Sequence, residues 1–200
     1  MLNILHSVAF VLLLAQGAFG QSEDWTMAKS EDGITIYTRP VDGSSIDEFR
    51  AETTIQGSIK DMERVLKDAD NMAKWSPDSE DSKLLSLEGD EQIYYLETDA
   101  PFPVQNRDVC VLLTYHELPG KLRVEIGVIP DYLPKKDGVV RIEHLTGEWI
   151  IEEVAANRIQ VQYRVHALPG GNIPEWLANS ATVDTPYETL QNLKEYINTL

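Results

Sequence analysis

Apolar and polar positions alternate along most of this chain, and in two places the alternation gives way to a helical period. ITIYTR (34–39) and DEFRAETTIQ (47–56) alternate, the second through Phe49, Ala51, Thr53 and Ile55, and predict a hairpin. Ser58 then caps a helix that places Ile59, Met62, Val65, Leu66 and Ala69 on one face, with Asp61 in its first turn. After a polar stretch broken at Trp75-Ser76-Pro77 the period returns to two. SKLLSLEG (82–89), EQIYYLET (91–98), DVCVLLTYHEL (108–118), KLRVEIGVI (121–129), VVRIEHL (139–145), GEWIIEEV (147–154) and RIQVQYRVHAL (158–168) follow as strands. Leu122, Val124, Ile126 and Val128 share one face, as do Ile159, Val161, Tyr163 and Val165, with Gln160, Gln162, Arg164 and His166 opposite. The chain ends in a second helical pattern from Ile173 through Trp176, Leu177, Ala181, Tyr187, Leu190, Leu193, Ile197 and Leu200. Near the start, Ser22 to Ala28 predicts a short helix, capped by Ser22 or Asp24 and anchored by Trp25.

Strands with one apolar and one polar face build an antiparallel sheet solvated on one side. The last helix is the only element long enough to cover the other side. The predicted class is therefore α+β, a curved antiparallel sheet gripping a long C-terminal helix. Such a sheet holds its helix at a distance unless side chains fill the gap, so the pattern also predicts an interior hydrophobic cavity. Pro169-Gly170-Gly171 ends the last strand and turns the chain back across the sheet. Asn172 is placed to cap the helix, with Ile173-Pro174 in its first positions. Trp176, Leu177 and Ala181 form the expected inward stripe, and Pro186 is expected to bend or break the helix. Opening of the cavity would involve the turn at 169–171 and the loop 129–138.

The length of 200 residues fits one domain. Residues 1–20 contain no charged side chain and hold an apolar run from Val8 to Ala15 before Ala18-Phe19-Gly20. They are expected to be a secretory signal peptide cut near Gly20, which leaves 21–200 as the domain and an exported, periplasmic or extracellular protein. A membrane anchor is the alternative, but the run is shorter than the roughly 20 residues a span needs. Cys110 is the only cysteine, so an internal disulfide is excluded, as is a lipoprotein anchor after the leader. Seventeen Lys and Arg against 33 Asp and Glu give a formal charge of -16. That surface argues against nucleic acid and against anionic membranes.

Four stretches resemble the START domain family, lipid-transfer modules of helix-grip fold. Trp25 with DGITIYTR (32–39) is similar to its opening, and YYLETDAPFPVQNRDV (94–109) to its Tyr-Tyr strand and Arg-Asp pair. PKKDGVVR (134–141) and PGGNIPEWLAN (169–179) complete the resemblance, in family order and across the domain. The resemblance implies a tunnel for one sterol, phospholipid or related lipid, closed by the C-terminal helix, with binding and transfer and no covalent chemistry. No cofactor is expected, nor more than transient membrane contact from so acidic a surface, and the protein is expected to be a monomer. The sterol-binding branch has a second arginine six residues after the Arg of the pair, where this chain has Leu113. Sterol in that mode is disfavoured, and a more aliphatic ligand is expected.

Candidate ligand-contacting residues are Tyr95, Arg107, Val111, Leu113, Val124, Ile126, Tyr163, Trp176, Leu177, Ala181 and Leu190. Arg107-Asp108 reads first as a pin for the preceding loop through charge-assisted hydrogen bonds, and alternatively places Arg107 on a ligand head group. His116, His144 and His166 lie on three strands without the spacing of a zinc site. Residues 68–82 are rich in carboxylates but lack the register of a calcium loop. No nucleophile elbow, phosphate loop or His-Glu-x-x-His is present, and Cys110 has no neighbouring base. A helix-grip enzyme acting on a hydrophobic substrate is the second hypothesis. It would need convergent polar groups in the cavity, such as Glu97 with Tyr95 or His166. A filled core serving as an interaction module is the third.

Overall fold

The computed structural model describes residues 25–199, so the predicted leader and the caps at Ser22 and Asp24 lie outside the described residues, as does Leu200. Ten strands and two α-helices follow in the order β1 (Thr26–Glu31), β2 (Ile34–Arg39), β3 (Glu48–Gln56), α1 (Ile59–Lys67), β4 (Ser79–Glu88), β5 (Glu91–Thr98), β6 (Arg107–Leu118), β7 (Lys121–Val128), β8 (Val140–Arg141), β9 (His144–Ala155), β10 (Arg158–Leu168) and α2 (Glu175–Ile197). A short 3-10 helix, Ala69–Lys74, follows α1. The sheet order is β1-β2-β3-β10-β9-β7-β6-β5-β4, antiparallel throughout, with β8 added to β6 in parallel. This is the predicted helix-grip architecture.

Of the segment expected as a helix at 22–28, the described residues 26–28 belong instead to edge strand β1. Asp32 and Gly33 both have positive φ, 51° and 72°. Two such residues form the primed turn that joins adjacent antiparallel strands, so Glu31 pairs with Ile34 and β1 runs back along β2. Trp25 is half-buried, with the Arg39 and Arg50 guanidiniums 4.5 and 4.8 Å from its ring. The predicted strand 139–145 shrinks to the two residues of β8, and β9 begins at His144. Gly147 lets β9 lie close against β10, because a Cβ there would stand 2.2 Å from the Arg164 carbonyl oxygen. Both β1 and β4 are edges, and both carry register shifts, between Met27 and Lys29 in β1 and at two places in β4.

Helix α1 has the expected start. Ser58 Oγ accepts from Asp61 N at 3.2 Å, and Asp61 Oδ2 accepts from Ser58 N at 3.0 Å. Met62, Val65 and Leu66 are buried beneath it. Helix α2 starts later than expected. Pro174 is its N-cap and Asn172 caps nothing, because the residue before a proline is held out of the helical region. Asn179 instead fastens the first turns to the β2–β3 connection: its Oδ1 accepts from Asp47 N, and its Nδ2 donates to the Ser45 carbonyl, both at 3.0 Å. The helix continues through buried Pro186 without a break. Its second half seats Tyr187, Leu190, Leu193 and Ile197 on β2 and β3, while Tyr187 Oη and Lys194 Nζ donate to the side chain and carbonyl of Asp32 at 2.7 and 2.9 Å.

The concave face is apolar and the outer face is laced with ion pairs. Arg39, Glu48, Arg164, Glu148 and Arg123 form a chain of contacts of 2.5 to 3.4 Å from β2 across β3, β10 and β9 to β7. Burial works to raise the pKa of Glu148, but hydrogen bonds from Arg123 and Arg164 outweigh it and hold the carboxyl below its ordinary value. A carboxylate whose pKa is lowered by folding stabilises the fold above its unfolded-state pKa, and that stabilisation is lost as pH falls through the folded value. Melting temperature is therefore expected to be nearly flat down to about pH 5 and to fall steeply below about pH 4. Glu148→Gln should flatten that acid limb in a series of thermal melts.

Candidate ligand-binding site

Alternation along β6 decides what this site is made of. Arg107, Val109, Val111 and Leu113 point into the concave side, and Asp108 and Cys110 point outward. The Arg-Asp pair is therefore split between two faces. Asp108 is bound from the outside by Arg141, with Nε–Oδ1 2.8 Å and Nη2–Oδ2 2.9 Å, both side chains being 1% exposed. Burial pushes the Asp108 pKa up, but the Arg141 fork and a bond from Tyr95 Oη (3.3 Å) outweigh it and keep the carboxyl ionised. Arg141 Nη1 also donates to the carbonyls of Pro130 and Leu133, so the 129–139 loop is tied down on the outer face. That loop lines neither the chamber nor the groove.

On the concave side an inner chamber of about 190 Å³ lies between the sheet, Trp75 and α2. Its walls are Tyr94 and Leu96 of β5, Val109, Val111 and Leu113 of β6, Ile126 of β7, Trp149 of β9, Tyr163 of β10, and Thr185 and Thr189 of α2. Trp149 stacks on Tyr163 with ring centres 3.8 Å apart, and Trp75 meets Trp149 edge to face at 6.5 Å. Burial raises the pKa of both Tyr94 and Tyr163, so both phenols stay protonated. Gln92 tightens the wall nearby: its Nε2 donates to the Leu66 and Lys67 carbonyls, and its Oε1 accepts from Tyr115 Oη.

An outer groove of about 440 Å³ continues from the chamber toward the surface. Pro77, Thr98, Arg107, Ile142 and Thr185 line both spaces and form their junction. The groove runs beneath the first half of α2, past Ile173, Leu177, Ala178 and Ala181, and over Phe49, Val165 and Ala167. Its rim carries Asp47, Asp78, Asp99, Asp184 and Glu188. Phe102, 97% exposed, sits between the groove-lining Pro101 and Val104; Trp176, 72% exposed, sits beside Leu177. A separate hollow of about 640 Å³ beside α1 is walled by charged side chains such as Lys60, Glu63 and Lys121 and shares no lining residue with the chamber or the groove.

Seven of the candidate residues meet here. Arg107, Val111, Leu113, Ile126 and Tyr163 line the chamber, and Leu177 and Ala181 line the groove. Val124 and Leu190 are buried in the core away from both spaces. Trp176 projects outward: as the neighbour of Leu177 it lies about 100° round the helix from the stripe formed by Leu177, Ala181, Thr185 and Thr189. Tyr95 pairs with Cys110 across β5–β6 and so faces outward, where it donates to Glu97 at 2.7 Å. His166 is bonded to Ser44 and Ile46, and neither it nor Tyr95 or Glu97 lines the chamber or the groove. Among the described residues no group of three or more His, Cys, Asp or Glu gathers as metal ligands. The sequence reading missed Trp75, Tyr94, Trp149 and Thr185, of which only Tyr94 and Trp149 were marked by strand alternation.

The START domain model matches residues 9–198, which takes in the sheet, the long helix and the lining of both spaces. The chain belongs to the START domain family. This START domain is 34% identical over 196 residues to an uncharacterized protein of Pseudomonas aeruginosa, covering 95% of this chain and 97% of that one. It is 30% identical over 165 residues to the phosphatidylcholine transfer protein of Mus musculus, covering 79% and 76%. Among solved structures it resembles a STAR-related lipid transfer protein fragment from Xanthomonas axonopodis, with a TM-score of 0.82, 40% identity and coverage of 87% and 98%. Human StAR-related lipid transfer protein 5 has the same fold, with a TM-score of 0.76 at 15% identity.

Proposed function

We propose that this protein binds one lipid between its sheet and α2 and carries it between membranes. The observation that carries the reading is the pair of joined apolar spaces beneath the first half of α2. Their walls offer burial worth about 25 cal/mol for each Å² of ligand surface removed from water, less the cost of ordering ligand and helix. The relatives named for lipid and phosphatidylcholine transfer support the same reading. Native mass spectrometry of protein purified from its own host should show one co-purified lipid per chain. Absence of any lipid, with no uptake of labelled phospholipid, fatty acid or sterol, would overturn it.

The first half of α2 is the lid in this reading. It is held at Asn179 and is mostly half-buried or exposed, whereas the second half is anchored in the core. Phe102 and Trp176 stand at the mouth as exposed aromatics suited to a membrane interface. The acidic rim favours neutral or zwitterionic surfaces and brief contact. Replacing both aromatics by alanine is expected to slow lipid transfer between phosphatidylcholine vesicles several-fold and to leave lipid affinity within about twofold. Stopped-flow transfer and equilibrium binding of the same labelled lipid separate the two effects. The leader read at residues 1–20 points to work outside the cytoplasm, and a mature N-terminus at Gln21 is the expected result of N-terminal sequencing.

A further inference from the structure

The two halves of α2 are held in different ways. From Pro186 onward the inward side chains are buried, and Tyr187 and Lys194 bond the helix to Asp32. Before Pro186 only Ala178 is buried, and Leu177 and Ala181 face the groove. Among the described residues, the side chains of this first half bond to the rest of the protein only through Asn179. Both of its bonds end on one short segment, the β2–β3 connection at 40–47. Asn179 Oδ1 accepts from Asp47 N and Nδ2 donates to the Ser45 carbonyl, each at 3.0 Å. An amide that both accepts and donates fixes direction as well as distance.

That connection is itself tied to the sheet. Ser44 Oγ donates to the Ile46 carbonyl at 2.9 Å and accepts from Ile46 N at 3.0 Å, which closes a tight turn. His166 of β10 reaches the same turn, its Nε2 lying 3.1 Å from Ser44 Oγ and 3.2 Å from the Ile46 carbonyl oxygen. A carbonyl only accepts, so Nε2 carries the ring proton. Ile46, 8% exposed, is packed into the groove wall beside Asp47. The connection therefore belongs mechanically to the sheet and not to the helix that leans on it. Pro186 marks the change between the two halves of α2. It has no N–H, so the Thr182 carbonyl lacks its helical donor and the helix is weakest at that turn.

We infer that the β2–β3 connection is a fixed catch for α2, with Asn179 as the latch and His166 as the positioning residue that holds the catch to β10. Release of Asn179 frees the helix up to Pro186 and uncovers the groove, while the second half stays seated on β2 and β3. Neither Asn179 nor His166 lines the chamber or the groove. They set how fast the cavity opens and not how tightly it holds its contents. This rests on the reading of the first half of α2 as the lid.

Amide hydrogen exchange of the lipid-free protein reads the latch directly. Asn179→Ala should speed exchange over residues 179–185 about tenfold, through the loss of both Asn179 hydrogen bonds, and leave 187–197 unchanged. Alanine is the better helix former, so the variant should fold. Asn179→Asp keeps the shape but turns the donor into an acceptor facing the Ser45 carbonyl, and should open as fast. His166→Phe should speed the same amides, and adding it to Asn179→Ala should change little, because both act through one contact. With labelled phosphatidylcholine, Asn179→Ala should load and release lipid about tenfold faster while the dissociation constant stays within about twofold. Unchanged exchange over 179–185 in both Asn179 variants would overturn the latch. Exchange that quickens equally over 187–197 would overturn it too, as general loosening of the helix. Faster release matched by equally weaker binding would assign Asn179 to the shape of the cavity and sink its role as a latch. If the wild type takes up no lipid while the hydrogen-exchange result holds, the catch stands and the lipid-binding reading fails.

Discussion

Thr185→Trp is expected to abolish phospholipid uptake while leaving the fold intact. Thr185 is exposed on α2, yet it lines both the chamber and the groove at their junction. An indole there would plug the passage without entering the packed core. Exposed substitutions of this kind usually change stability by no more than about 0.5 kcal/mol, and tryptophan and threonine have similar helix propensities. Uptake of labelled phospholipid should fall more than about tenfold, since the ligand would have to expel the indole or leave its chains in water. Thr185→Ser, which keeps the passage open, should behave as the wild type. Unimpaired uptake by the tryptophan variant would mean that the two spaces are not one path.

The largest effect on stability is expected at Arg141. Removing it by Arg141→Met leaves Asp108 ionised, buried and without its fork, a change that costs about 3–5 kcal/mol in comparable pairs. For a domain of this size the melting temperature should fall on the order of 10 °C. The 129–139 loop would also lose its tether, because the same guanidinium holds the Pro130 and Leu133 carbonyls. The double variant Asp108→Leu with Arg141→Met should recover a large part of the loss, as one apolar pair replaces one ionic pair. Additive losses in thermal melts of the two single variants and the double would show that the two side chains are not coupled.

Much of the fold was legible because period-2 alternation and caps are local signals. The Ser58 start of α1, the seven strands after it and the closing helix all follow from spacing. What failed was parity and phase. In β5 both faces carry aromatic or apolar residues, Gln92-Tyr94-Leu96 and Ile93-Tyr95-Glu97, so sequence alone does not say which faces the cavity. The register Tyr94↔Val111 does, and it exchanges Tyr95 for Tyr94. In α2 the apolar spacing counted from Ile173 assigned Trp176 to the inner stripe. The stripe that lines the cavity is Leu177, Ala181, Thr185 and Thr189, spaced by four, half of which is polar and so carried no hydrophobic signal. Trp75 looked like the end of a loop, because its place in the chamber depends on contacts distant in sequence. Arg107 was legible in position, with two roles left open. That Asp108 is held from the other face by Arg141 is visible only in the structure.

The sheet never closes on itself, so β1 and β4 each present a row of backbone donors and acceptors to the outside. An uninterrupted edge of that kind is a template on which a second chain can add its own strand. Here each edge is irregular: a shift of register between Met27 and Lys29, and two within β4, break the straight ladder that such addition requires. Lys29 and Glu31 on one edge, and Glu80, Asp81 and Lys83 on the other, add charges that an incoming strand would have to desolvate. Each edge thus lacks both the straight ladder and the uncharged strip on which another chain could extend the sheet.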